Sequence, residues 1–113
     1  MWLFTKRGFY SIISKKESEW HVRARAREDL ENLNALAGTS YTVHCSENAD
    51  YRWRMVVSGE EARALIAKLA ADIDYSNFKG VVGRTPGQQD KLDILHQIWG
   101  LMYDYQCRKE VGR

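Results

Sequence analysis

The chain has 113 residues and a net charge of +2; 44% are hydrophobic, 28% charged and 12% aromatic, with one Pro and eight Gly. This length predicts a single domain over residues 1–113 whose one core buries about two-thirds of the unfolded surface, and the composition excludes disordered, collagen-like and low-complexity chains. No apolar run approaches the roughly 20 residues that span a bilayer, and the apolar residues 1–4 ahead of Lys6 and Arg7 are too few for a signal peptide, so a cytoplasmic protein without membrane association is expected.

Residues 2–5 and 9–13 are aromatic and β-branched runs either side of Lys6, Arg7 and Gly8, which predicts a β-hairpin. Residues 14–19 are polar and read as a loop. From Trp20 the chain alternates strictly, with Trp20, Val22, Ala24 and Ala26 on one face and His21, Arg23 and Arg25 on the other. Period two is the signature of a half-buried strand. At Arg27 the period changes: Leu30, Leu33, Leu36 and Ala37 recur at helical spacing, Glu28 and Asp29 complement the dipole of the first turn, and Gly38 is a natural stop. Residues 41–46 alternate again, with Tyr41, Val43 and Cys45 inward. After a turn, residues 51–57 form a further strand with Tyr51, Trp53, Met55 and Val57 inward and Arg52, Arg54 and Val56 outward.

Ser58 with Glu61 three residues on is a capping box. The helix it starts carries Ala62, Leu65, Ile66, Leu69, Ala70 and Ile73 on one stripe and should end near Asp74. Residues 75–79 read as an ordered turn and 80–84 as a loop. Thr85, Pro86 and Gln88 then read as the start of a last helix running to about Lys109. Its apolar residues fall on two stripes, Leu92, Leu95, Trp99 and Met102 on one, Ile94, Ile98, Leu101 and Tyr105 on the other. A helix apolar on two sides is buried between layers or used at an interface.

The element order is ββ-β-α-β-β-α-α, and its middle matches most of a split β-α-β unit. This predicts an α+β, ferredoxin-like antiparallel sheet of about five strands. A strand of the N-terminal hairpin supplies the unit's missing strand, a C-terminal helix is added, and the helices lie on one face.

Taken together, several segments resemble a widespread family of small, uncharacterised bacterial proteins. They are Trp2, Leu3, Phe4 and Thr5 with Gly8, Phe9, Tyr10 and Ser11; Val22 to Arg25 leading into Asp29 and Leu30; Asp50 to Arg54; Ile73 to Lys79; and Ile98, Trp99, Met102 and Tyr103. The resemblance covers nearly the whole chain and implies no activity, cofactor or partner.

Charge is unevenly spread. Residues 1–27 hold seven Lys/Arg against two Glu, and residues 28–113 hold ten Lys/Arg against thirteen Asp/Glu. An excess of positive charge in the N-terminal strands suits an anionic partner. In the expected sheet the two Arg-x-Arg strands lie side by side, so parity places Arg23, Arg25, Arg52 and Arg54 on one open face, together with His21 and His44. Guanidinium groups offer a rigid donor fork for phosphate or carboxylate, whereas the bland reading is a solvated sheet face. For stacking, only Tyr10 and Trp2 from the hairpin are expected on that side, which departs from the aromatic pattern of sheet faces that bind single-stranded RNA. His21 and His44 would suit metal-independent phosphodiester cleavage, one as base and one as acid, as a minority reading.

No GxGxxG, GxxxxGK[ST] or GxSxG motif occurs, and no histidine pair has helical i, i+4 spacing. No metal and no cofactor is therefore expected. Cys45 and Cys107 form no CxxC and read as reduced thiols packing as small apolar residues. Two function classes follow. The first is a non-enzymatic binding module gripping an anionic partner, nucleic acid or an acidic protein surface, through the Arg face. The alternative is a protein-interaction or inhibitor module, of the kind a phage or mobile element carries against a host defence complex. It would dimerise as a homodimer or dock through an aromatic surface at Trp2, Tyr10, Trp99 and Tyr103.

Overall fold

In the computed structural model, which describes residues 1–112, strands β1 (Trp2–Phe4) and β2 (Phe9–Lys16) form the expected hairpin. The turn between them is closed by Thr5, whose Oγ1 donates to the Gly8 carbonyl at 2.8 Å. Gly8 is required by a close approach: a Cβ there would lie 2.4 Å from Cγ of buried Asp29. Strand β2 continues through residues 14–16, where a loop was expected, because a bulge between Ser14 and Lys16 lets polar residues extend the ladder to a tight turn. Strand β3 (Glu19–Ala24) returns antiparallel, and helix α1 (Arg27–Ala37) follows. Its stop is Gly38, at φ 68°, a left-handed conformation that costs a glycine nothing.

The segment expected as a strand over 41–46 pairs only as β4 (His44–Cys45). The Tyr41 backbone is held by Asn34 instead, which donates to its carbonyl and accepts from its N–H. Tyr41 and Val43 still pack against the core, but Cys45, expected inward, is exposed on this two-residue edge strand. Strand β5 (Trp53–Val57) then enters between β3 and β4. The sheet order is β1-β2-β3-β5-β4, antiparallel throughout. The protein is thus an α+β fold on a five-stranded antiparallel sheet.

Helix α2 (Gly59–Ala71) begins with the capping box intact: Ser58 Oγ accepts from Glu61 N–H, and the Glu61 carboxylate accepts from Ser58 N–H at 2.8 Å. Leu30 and Leu33 of α1 and Ala62, Leu65 and Leu69 of α2 pack on Tyr10, Ile12, Val22, Ala24, Met55 and Val57 of the sheet. Tyr10, assigned from sequence to the open side, lies instead in this core. Its position in β2 points it at the helices, where its hydroxyl donates to the Asp29 carbonyl at 2.6 Å, and burial pushes its pKa up. The hairpin turn is tied to the end of α2. Arg7 grips Asp72 with two bonds of 2.6 and 2.9 Å, and Lys6 bonds Asp74 at 2.8 Å. Ile73, expected on the α2 stripe, is exposed because the helix has already ended at Ala71, with Asp72 as its cap.

Contacts divide the chain into two compact units, Met1–Tyr75 and a second beginning at Ser76. In the second, residues 78–84 form helix α3 (Phe78–Arg84) rather than a loop, because Asn77 caps it: the Asn77 side chain accepts from Gly80 N–H at 3.0 Å. The expected helix start at Thr85 is displaced for the same reason. Thr85 ends α3, its Oγ1 donating to the Val81 carbonyl, and after a short turn and a 3-10 turn at Gln89–Lys91 helix α4 runs over Leu92–Val111. No helix among the described residues is long and apolar enough to cross a membrane.

Candidate functional site

The sheet has two unlike faces, because side chains alternate along each strand. Helices α1 and α2 cover one. On the other, strand register sets five residues in a single row across the sheet: Trp2 opposite Ser11, Ser11 opposite Arg23, Arg23 opposite Arg54, and Arg54 opposite His44. Trp2 at one end is 66% exposed, and His44 at the other is exposed as well. Arg23 and Arg54, at the centre, are half-buried.

Arg23 and its neighbour Arg25, which is exposed, are held by neutral groups. Arg23 donates to Ser11 Oγ at 2.7 Å, and Arg25 donates to the Asp50 carbonyl at 2.6 Å. Both stack on the ring of Tyr51, with their guanidinium carbons 4.5 and 4.0 Å from its centroid. Tyr51 was expected in the core. The strand begins only at Trp53, and Asp50 Oδ1 accepts from Tyr51 N–H at 2.9 Å. The alternation therefore breaks before Tyr51, and its ring goes to the arginine side, 4% exposed. Phe9 joins it there, its ring 6.4 Å from Tyr51, stacked on Phe4 at 4.4 Å and edge-on to Trp2 at 5.8 Å.

Arg54 donates to His21 Nδ1 at 3.0 Å, and His21 Nε2 lies 2.8 Å from Glu19 Oε2. A guanidinium cannot accept, so Nδ1 is the acceptor and Nε2 carries the hydrogen given to Glu19. This hydrogen bond holds the Glu19 carboxyl below its ordinary pKa. Both ring nitrogens of His21 are thus engaged, and His44 stands one strand beyond Arg54 from it. Arg54 Nε is buried with no hydrogen-bond partner among the described residues.

Among the described residues no carboxylate lies within ion-pair distance of Arg23, Arg25, Arg52 or Arg54; the acidic partners go elsewhere, to Lys6, Arg7, His21, Arg27 and Arg63. Of the expected set the structure brings Arg23, Arg25, Arg54 and His21 together and sets His44 beside them. Arg52, which precedes the strand, is exposed and has no contact that places it in the cluster. Ser11, Phe9 and Tyr51 were missed. Once Tyr10 is taken as inward, parity alone puts Phe9 and Ser11 outward; nothing in the alternation signals Tyr51.

Of the remaining aromatic candidates, Trp99 and Tyr103 stack at 5.3 Å on α4, both exposed, with Lys79 5.0 Å over Trp99. They help line an open hollow of about 720 Å³ with Met102, Tyr105, Gln106 and Lys109. The described residues contain no group of three His, Cys, Asp or Glu arranged to hold a metal ion. The chain matches no family model, no curated protein and no solved structure.

Proposed function

We propose that this protein is a non-enzymatic binding module that takes a phosphate-bearing strand of nucleic acid across the open face of its sheet. The observation that carries this reading is the gathering of Arg23, Arg25 and Arg54 on one face with only neutral direct hydrogen-bond partners and, among the described residues, no carboxylate within ion-pair distance of any of the three. Three unneutralised guanidiniums repel one another, and an anion relieves that repulsion while meeting a fork shaped for phosphate oxygens. Trp2, two-thirds exposed at the end of the same row, offers the flat surface on which an unpaired base stacks. That pairing of Arg and aromatic favours nucleic acid over an acidic protein surface.

The test is fluorescence anisotropy of a labelled single-stranded oligonucleotide over a salt series, with an acidic peptide of equal charge as competitor. If each of three arginines meets one phosphate, log affinity should fall with log salt at a slope of about −2, from roughly 0.7 per contact. Trp2→Ala should weaken binding by about 1–3 kcal/mol per stacked base. No binding at low salt refutes the reading, and preference for the acidic peptide replaces nucleic acid with a protein partner. A second reading, contact with another protein through an apolar surface, is favoured by the exposed side chains of α4.

A further inference from the structure

We infer that Tyr51 is the positioning residue of the open face: its ring, together with the Asp50 carbonyl, fixes Arg23 and Arg25 before a ligand arrives and sets them as one clamp on the phosphate backbone. The inference rests on the nucleic-acid reading above. Tyr51 is buried, yet it does not belong to the hydrophobic core beneath the helices. Its ring lies against Arg23, Arg25 and Phe9 instead. Asp50 and Tyr51 between them reach every arginine of the cluster. The Asp50 carbonyl accepts from Arg25 Nη1 at 2.6 Å, while the neighbouring ring lies 4.0 Å from the same guanidinium. Arg23 sits 4.5 Å from that ring, and Arg54 Nη2 is 3.5 Å from the Tyr51 carbonyl oxygen. Asp50 Oδ1 accepts from Tyr51 N–H, which fixes the ring's own backbone.

An arginine without a counter-ion samples many rotamers, and immobilising it on a ligand costs affinity. A neutral aromatic face removes that cost without cancelling the charge. The ring quadrupole attracts the cation, and the N–H donors along the edge of the guanidinium plane stay available. A carboxylate would hold either arginine as firmly but would occupy the donors. In Arg25, Nη1 is taken by Asp50, while Nε and Nη2 meet no acceptor among the described residues. That edge is the bidentate fork for two oxygens of one phosphate. The ring of Tyr51 is in turn backed by Phe9, which is stacked on Phe4 and edge-on to Trp2. One aromatic block thus carries both the arginines and the residue on which a base stacks.

Anisotropy of the labelled single-stranded oligonucleotide with the native chain gives the baseline. Tyr51→Leu removes the ring and keeps every positive charge, and affinity should fall roughly tenfold, the scale of immobilising two arginine side chains on the ligand. Tyr51→Phe, which keeps the ring, should recover most of that loss. In an Arg25→Gln chain the same Tyr51→Leu change should cost clearly less, because one of the two side chains it acts through is gone. A residue that merely stiffens the fold would cost the same in both chains. Urea unfolding checks that each variant is folded. Native affinity in Tyr51→Leu, a Tyr51→Phe chain as weak as Tyr51→Leu, or an equal cost in the Arg25→Gln chain overturns the inference and leaves the nucleic-acid reading standing. A native chain that binds no oligonucleotide overturns both. Should Tyr51→Leu fail to fold, Arg25→Lys decides: lysine keeps the charge but has neither a flat group for the ring nor the fork, so affinity should fall at least severalfold, and unchanged affinity overturns the inference.

Discussion

Replacing Arg23 and Arg54 together with Gln isolates the charge of the open face. The two are direct cross-strand neighbours, and like charges in that position cost about 0.2–1 kcal/mol, which the substitution returns. Against this stand the bonds from Arg23 to Ser11 Oγ at 2.7 Å and from Arg54 to His21 Nδ1 at 3.0 Å, about 1 kcal/mol each, and the stacking of Arg23 on Tyr51 at 4.5 Å, about 1 kcal/mol. The net loss is about 2–3 kcal/mol, less than the roughly 5–15 kcal/mol of a folded domain. Neither side chain is in the hydrophobic core, so no cavity is left. Affinity for the oligonucleotide should fall far more. Two charge-assisted contacts at about 1.5–3 kcal/mol each amount to at least roughly 100-fold, and the salt slope should flatten by about 1.4. The assay is anisotropy over a potassium chloride series beside urea unfolding of the same preparations. A folded double variant that keeps both affinity and slope refutes the assignment of this face.

Three further expectations concern the frame that holds the face. Gly8→Ala should destabilise the protein by about 1–3 kcal/mol in urea unfolding, because its Cβ overlaps Asp29 and Asp29 Oδ2 accepts from Phe9 N–H at 3.1 Å; a change under half a kilocalorie would show that Asp29 yields easily. Tyr10→Phe should cost about 1–3 kcal/mol, since the Asp29 carbonyl loses its buried donor, and should leave oligonucleotide affinity unchanged; lost affinity at native stability would return Tyr10 to the binding surface. Arg7 holds the Asp72 carboxyl below its ordinary pKa. A depressed carboxylate contributes stability above its unfolded pKa of about 4 that is lost as pH falls through the folded value. Asp72→Asn should therefore lower stability by about 1.5 kcal/mol at pH 7, a modest figure because Arg7 is partly exposed. It should also flatten the fall in stability below about pH 4, which urea titrations at pH 7, 4 and 3 would reveal.

Local pattern alone identified most of the elements. Alternation in Trp20 to Ala24 and Trp53 to Val57, the capping box at Ser58 and the stop at Gly38 are short-range signals, and each names its element without reference to the rest of the chain. The same alternation placed Arg23, Arg54 and His21 on the outward face, because period two holds wherever the chain is truly a strand. It failed where the strand ended. Within residues 41–46 only His44 and Cys45 pair as a strand, the Tyr41 backbone being held by the side chain of Asn34, and Tyr51, two residues before β5, turned to the opposite face under two arginines. α3 was hidden because its apolar run is short and its start depends on one capping bond from Asn77. The sequence by itself thus determined which residues alternate, which segments coil, and that the N-terminal strands carry positive charge. Only the tertiary structure decided which strands become neighbours, and with that the row from Trp2 to His44, the neutral partners of the arginines and the anchoring of Lys6 and Arg7 on Asp72 and Asp74. These contacts join residues some 10 to 70 positions apart, and no local pattern encodes a distance of that kind.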